Sequence, residues 1–169
     1  QELGINLNLA PVVDVSENPS DYMHKSSFGQ NTELTNIYAE TVISSSKGLG
    51  VSYTLKHFPG YGNNTDTHDE VSIDSRSKES ILEKDLPPFN SGIKKGAEAV
   101  LVSHNLVSAI DKENVASLSP SIHNLLRNEL SFSGIIITDD LAMGAVENTE
   151  ASCVNAILAG NDLLIVTDY

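Results

Sequence analysis

Short apolar runs recur along the chain, at residues 5–15, 51–58, 99–104, 134–139 and 162–167. Each is rich in Val, Ile and Leu and gives way to polar or charged residues. Hydrophobicity that is continuous rather than alternating is the pattern of a strand covered on both faces. Between the runs lie stretches with helical spacing, at 31–49, 78–95, 119–130 and 150–159. Ser119 before Pro120 reads as an N-cap followed by proline in the first turn. Gly48 with Gly50, Gly96 and Gly160 read as left-handed caps at helix ends. Strand and helix alternating in this way predict a parallel α/β sheet.

Long polar segments follow the first two strands, at 16–31 and 59–77, and a shorter one, at 105–116, follows the third. Loops of this length inside a compact domain usually carry function. Asp14, Lys56, His57, His104, Asp139 and Asp168 all fall at or just beyond the carboxyl ends of their strands, where closed barrels and open doubly wound sheets both place their sites. On pattern alone the two architectures compete. Neither G-x-G-x-x-G nor G-x-x-x-x-G-K-[ST] occurs, so the phosphate-binding turns common in open sheets are absent from the sequence.

Composition narrows the function classes. Ten basic residues stand against 23 acidic ones, a formal net charge of −13. No run of Lys or Arg supplies the basic face that a nucleic-acid binder requires. No apolar stretch reaches the ~20 residues of a membrane helix, and the start Gln-Glu-Leu-Gly has no signal-peptide pattern. Cys153 is the sole cysteine and has no internal disulfide partner. The compartment stays open between cytoplasmic and secreted.

Two segments carry chemistry. In the first, Lys56-His57-Phe58-Pro59-Gly60-Tyr61-Gly62 gives a tight loop leaving a strand end, with two donors suited to hydroxyl groups. Asp66-Thr67-His68 follows, where an Asp two residues before a His can accept from the imidazole, fix its tautomer and raise its pKa. Such a His can deliver a proton to a leaving oxygen. Alone, a D-x-H triplet is a weak signal. The second segment is Ile137-Thr138-Asp139-Asp140-Leu141-Ala142-Met143. Asp139 follows a fully apolar strand and is expected to face the mouth of the site as a nucleophile toward an acetal carbon. Asp140 is expected to cap the next helix. Met143 reads as helix packing, and is kept with His104 among candidate substrate-facing residues. His104 has a second reading as a hydrogen-bonded core histidine.

Together these segments closely resemble the glycoside hydrolase family 3 β-N-acetylglucosaminidases, the group that includes bacterial muropeptide-recycling enzymes. The likeness extends to Gly4–Val15 and Ser27-Phe28-Gly29, to Val102-Ser103-His104 and Ser117–Pro120, and to Ala159-Gly160-Asn161-Asp162. It runs in order over essentially the whole chain. The resemblance implies a (β/α)₈ TIM-type barrel, incomplete here, with residues 1–169 forming a single partial catalytic domain of about the last five βα units. The chain is therefore expected to be a fragment, inactive or weakly sugar-binding alone, and prone to self-association through exposed sheet edges. The resemblance also implies a retaining hydrolysis of terminal β-linked N-acetylglucosamine, with peptidoglycan fragments as the source. Asp139 is the implied nucleophile, His68 the acid/base and Asp66 its partner, with Lys56, His57 and Asp14 near the sugar. No metal or organic cofactor is implied, and the expected partner is a carbohydrate.

The sequence departs from the family pattern at three places. Ser26, beside Lys25, stands where an Arg commonly precedes Ser-Phe-Gly. Tyr61 stands where many members have His, and Ser72 where Pro aligns. These changes bear on substrate preference. Other readings are a family 3 glycosidase of different specificity, a phosphorylase and a non-catalytic carbohydrate-binding fragment. A zinc hydrolase using His57, His68, His104, Asp66 and Asp139 is a further rival, although H-x-H and H-E-x-x-H spacings are absent.

Overall fold

Each of the five apolar runs contributes a strand to one parallel sheet. The computed structural model describes residues 3–67, 70–146 and 149–167. Strands β1 (Leu7–Asn8), β2 (Ser52–Phe58), β4 (Ala99–Val102), β6 (Ile135–Asp140) and β7 (Leu163–Ile165) lie side by side in that order. Every neighbouring pair is parallel, with Val100 opposite Ile136 and Ile137 opposite Leu163. Spatial order follows chain order without reversal, so there is no switch point of the doubly wound kind. The sheet is a curled half-barrel carrying helices.

Burial on both faces explains the unbroken hydrophobic runs, with alternation in β4 and β6 and a register shift between Leu55 and Phe58 in β2. One set of side chains, including Leu55, Phe58, Val100, Val102 and Ile136, packs against the helical residues Ile43, Ile81, Phe89, Ile122 and Leu126. The other set, Ala99, Leu101 and Ile137, meets Leu7 and Ile165. Phe58 and Phe89 meet edge to face at 5.2 Å between ring centroids. That geometry adds about 0.5–1.5 kcal/mol for the pair beyond the burial of the two rings.

The helices are α1 (Thr32–Ser46), α2 (Lys78–Lys84), α3 (Leu86–Lys94), α4 (Pro120–Asn124) and α5 (Thr149–Ala159). Ser119 caps α4 as expected, its side chain accepting from Ile122 N at 3.2 Å with Pro120 in the first turn. The four glycines read as helix caps all adopt positive φ.

Three expectations need correction. The stretch 78–95 is two helices, not one, because Pro87 and Pro88 bring no N–H and favour the first turn of a new helix after Asp85. The helix expected at 119–130 changes to a π-helical turn at Leu125–Glu129. The first run is mostly not a strand. Pro11 cannot donate, and beyond Asn8 contact with β2 continues irregularly, through Thr54 N to the Ala10 carbonyl at 2.9 Å and a bridge between Val12 and Lys56. A small second sheet, β3 (Ile73–Asp74) paired in parallel with β5 (Leu106–Val107), joins two of the long loops. Among the described residues, no helix is long and apolar enough to cross a membrane.

Candidate active site

Strand β2 ends in Lys56-His57-Phe58 and strand β6 in Asp139-Asp140, so the parallel sheet delivers these side chains to the same end. They meet in a pocket of about 290 Å³ walled by Lys56, His57, Tyr61, Asp139 and Met143, with Tyr22, Met23 and Ser26 from the loop after β1. A larger hollow of about 530 Å³ lies at the opposite, amino end of the strands, beside Gly50–Tyr53 and Gly96–Glu98, and holds none of the expected residues.

Asp14 is buried and lies behind this pocket. Its Oδ2 is 2.8 Å from His57 Nδ1 and accepts from His57 N at 3.1 Å, while Oδ1 accepts from Tyr61 N at 2.8 Å. Both oxygens are thus committed to the chain, and Asp14 fixes His57 from behind. The peptides Lys56–His57, Phe58–Pro59 and Ala10–Pro11 are cis.

Beneath the turn after β2 sits an ion cluster that the sequence reading did not single out. Arg76 binds Asp74 through Nε and Nη2 and reaches Asp85 Oδ2 through Nη1 at 2.7 Å. Burial pushes the Asp85 carboxyl up to about 6, against the pull of the Arg76 guanidinium. The turn rests directly on this cluster: a Cβ on Gly60 would lie 2.4 Å from Asp85 Cβ, and one on Gly62 would lie 2.3 Å from Arg76 Cζ.

His104 is fully buried and takes the core reading. Its Nδ1 is 2.7 Å from Ser117 Oγ and its Nε2 is 2.9 Å from the carbonyl of Asp140. An Nε2–H tautomer satisfies both bonds, donating to Asp140 and accepting from Ser117. Burial lowers its pKa. His104 thus braces the strand end that carries Asp139 and has no free nitrogen to offer a substrate.

Two expectations about the β6 end are corrected. Asp140 caps no helix, since α5 begins only at Thr149; its Oδ1 accepts from Ala142 N and Thr167 N, and Oδ2 accepts from Thr167 Oγ1. Burial opposes these bonds, yet they hold its pKa below the usual carboxylate value. Met143 lies not on a helix but in the turn that follows, where its N donates to Asp140 O at 3.0 Å and its side chain walls the pocket. Asp139 Oδ1 accepts from Asp140 N at 3.0 Å.

The D-x-H loop is described as far as Thr67. His68, its pairing with Asp66, and Asp168 lie outside the described residues. Tyr22, which the sequence reading missed, donates to Asp66. The available signal was an aromatic residue in the long polar loop after a strand's carboxyl end. No group of three or more His, Cys, Asp or Glu among the described residues is arranged to hold a metal ion.

Residues 1–169 match the family model of the glycosyl hydrolase family 3 N-terminal domain. A β-hexosaminidase of Psychromonas ingrahamii is 38% identical over 166 residues, which is 95% of this chain and 49% of that protein. The structure of a family 3 β-N-acetylglucosaminidase from a Paenibacillus species superposes with a TM-score of 0.92 at 33% identity, over 97% of this chain and 32% of that one. A β-N-acetylhexosaminidase from Beutenbergia cavernae superposes with a TM-score of 0.86 at 32% identity, over 98% of this chain and 52% of that one. The chain spans about half the length of the curated relatives it matches.

Proposed function

The chain belongs to glycosyl hydrolase family 3, and from that premise we propose that it supplies the catalytic machinery of a retaining β-N-acetylglucosaminidase. Its five strands would be the last five of an eight-stranded barrel, in a single domain. The observation that carries the reading is the convergence of Asp139 with Lys56 and His57 on one pocket at the carboxyl ends of the strands. The name of the Paenibacillus neighbour supports N-acetylglucosamine as the sugar, and that of the Psychromonas relative a hexosaminide more broadly. Peptidoglycan fragments as its source are inferred from the motif resemblance.

In this mechanism an Asp139 oxygen attacks the anomeric carbon as the glycosidic bond breaks, and His68 gives its proton to the departing oxygen. Water then attacks the glycosyl–Asp139 ester while His68 takes a proton from it, releasing sugar of unchanged anomeric configuration. Asp66 stabilises the protonated imidazole, and Lys56 and His57 donate to sugar hydroxyls. Asp14 and His104 position His57 and the Asp139 strand end without touching substrate.

The test is hydrolysis of p-nitrophenyl β-N-acetylglucosaminide by the full-length gene product, with and without inorganic phosphate. Release of N-acetylglucosamine, first formed as the β anomer, is expected. Release of a sugar 1-phosphate would instead make the enzyme a phosphorylase. No cleavage by the folded protein would remove the reading.

A further inference from the structure

Three consecutive residues of the loop after β2 are each held by a different side chain. Thr65 is held by Ser72, whose Oγ accepts from Thr65 N at 3.1 Å and shares a hydrogen bond with Thr65 Oγ1 at 3.0 Å. Asp66 accepts from the Tyr22 hydroxyl. Thr67 is fully buried, and its hydroxyl shares a 2.5 Å bond with that of Tyr61.

The holders come from separate parts of the fold, and each is anchored in turn. Tyr22 opens the 3₁₀ turn Tyr22–Lys25, which belongs to the loop after β1. Tyr61 donates its backbone N–H to Asp14 and sets its ring against His57, with centroids 5.6 Å apart. Ser72 is tied to the small second sheet, its carbonyl accepting from Leu106 N at 2.9 Å. The rings of Tyr22 and Tyr61 themselves meet, centroids 5.9 Å apart.

We propose that this three-point clamp (Ser72 on Thr65, Tyr22 on Asp66, Tyr61 on Thr67) holds the segment 65–67, which leads in sequence into the acid/base His68, and that Tyr22 and Tyr61 are positioning residues of the reaction. The inference rests on the acid/base assignment proposed above. Proton transfer to a leaving oxygen requires the donor within hydrogen-bond reach, so a small displacement of the loop costs rate directly. Burial raises both tyrosines to about 12, reinforced at Tyr22 by the bond to Asp66 and at both by the charge of Asp139. Both hydroxyls therefore stay protonated throughout the neutral range.

Tyr22→Phe and Tyr61→Phe each delete one hydroxyl and keep the ring. In the full-length gene product, each variant is compared with wild type on two N-acetylglucosaminides. One has an alkyl leaving group that needs a proton, and the other a dinitrophenyl group that departs without one. The clamp predicts that kcat/KM, which reports formation of the glycosyl–Asp139 ester and not its hydrolysis, falls about 10-fold or more on the alkyl glycoside and less than about 2-fold on the dinitrophenyl glycoside. Equal losses on both, or none on either, overturn the positioning role. Amide hydrogen exchange on the same proteins is expected to accelerate across residues 63–67 and not in β2, β4 or β6, and unchanged exchange in both variants overturns the clamp whatever the kinetics. If wild type cleaves neither glycoside, the glycosidase reading has failed, and the exchange result alone decides whether the clamp exists.

Discussion

Asp14 holds His57 at two points, at 2.8 Å from its ring nitrogen Nδ1 and at 3.1 Å from its backbone N–H. It joins the end of the first apolar run to the end of β2, and through Tyr61 N it also fixes the following turn. Asp14→Ala orphans three donors in a buried place. Its expected cost is about 3–5 kcal/mol of unfolding free energy, read from urea denaturation. A change below 1 kcal/mol would mean that water takes over the role of the carboxylate.

Gly60 carries a positive φ of 117° and rests its Cα against Asp85. Gly60→Ala meets both obstacles at once, the unfavourable backbone conformation and a 2.4 Å approach to Asp85 Cβ. A loss of about 2–4 kcal/mol is expected, together with displacement of the Tyr61 turn. Chemical denaturation and the Tyr61 ring NMR signals check it. A variant as stable as wild type would show that the turn does not rest on the ion cluster.

Asp85 titrates near 6 in the fold against 3.8 when free. Between those values the native state binds more protons than the unfolded state, so this group's contribution to stability falls as the pH rises from about 4 to 6 and is flat above. The stability of wild type relative to Asp85→Asn should therefore shrink by up to about 3 kcal/mol across that window. Paired denaturation curves at several pH values measure it. A difference that stayed constant or grew with pH would contradict the assignment.

His104 shows the opposite sign. Its pKa is lowered from 6.5 by burial, so the unfolded chain takes up a proton more readily than the native one. Its contribution is fully present above about pH 6.5 and is lost as the pH falls below it. His104→Ala should cost about 2–4 kcal/mol at pH 7.5, because the Asp140 carbonyl and the Ser117 hydroxyl lose their partner, and the cost should be smaller at pH 5. A cost that is equal at both pH values would mean that His104 takes up its proton as readily in the fold as in the unfolded chain, and would contradict the assignment.

The central strands were legible because their residues are buried on both faces. Ala99–Val102, with Ile136 and Ile137, leave no polar position to blur the signal. Motif positions placed Asp139, Lys56 and His57 together for the same reason, since parallel strands deliver consecutive ends to one side. What escaped reading depends on contacts between distant segments. The pair β3 and β5 is two residues long and leaves no periodicity. Tyr22 reaches Asp66 from a different loop, and the Arg76 cluster joins positions whose charges read as ordinary surface. The break at Asp85 was written in Pro87-Pro88 and was outweighed by the helical spacing around it. Asp140 was misjudged, and His104 was left with two readings, because strand-end placement indicates proximity to the site but not the direction of a side chain.

The central claim is that Asp139 forms a covalent bond to the sugar. The direct measurement is to incubate the full-length gene product with a fluorinated N-acetylglucosaminyl fluoride, which forms the ester faster than water can break it, and to locate the adduct by peptide mass spectrometry. One sugar per protein, on the peptide carrying Asp139 and absent from Asp139→Asn, is the expected result. An adduct on another carboxylate, or turnover that releases the inverted anomer with no adduct, would contradict the account.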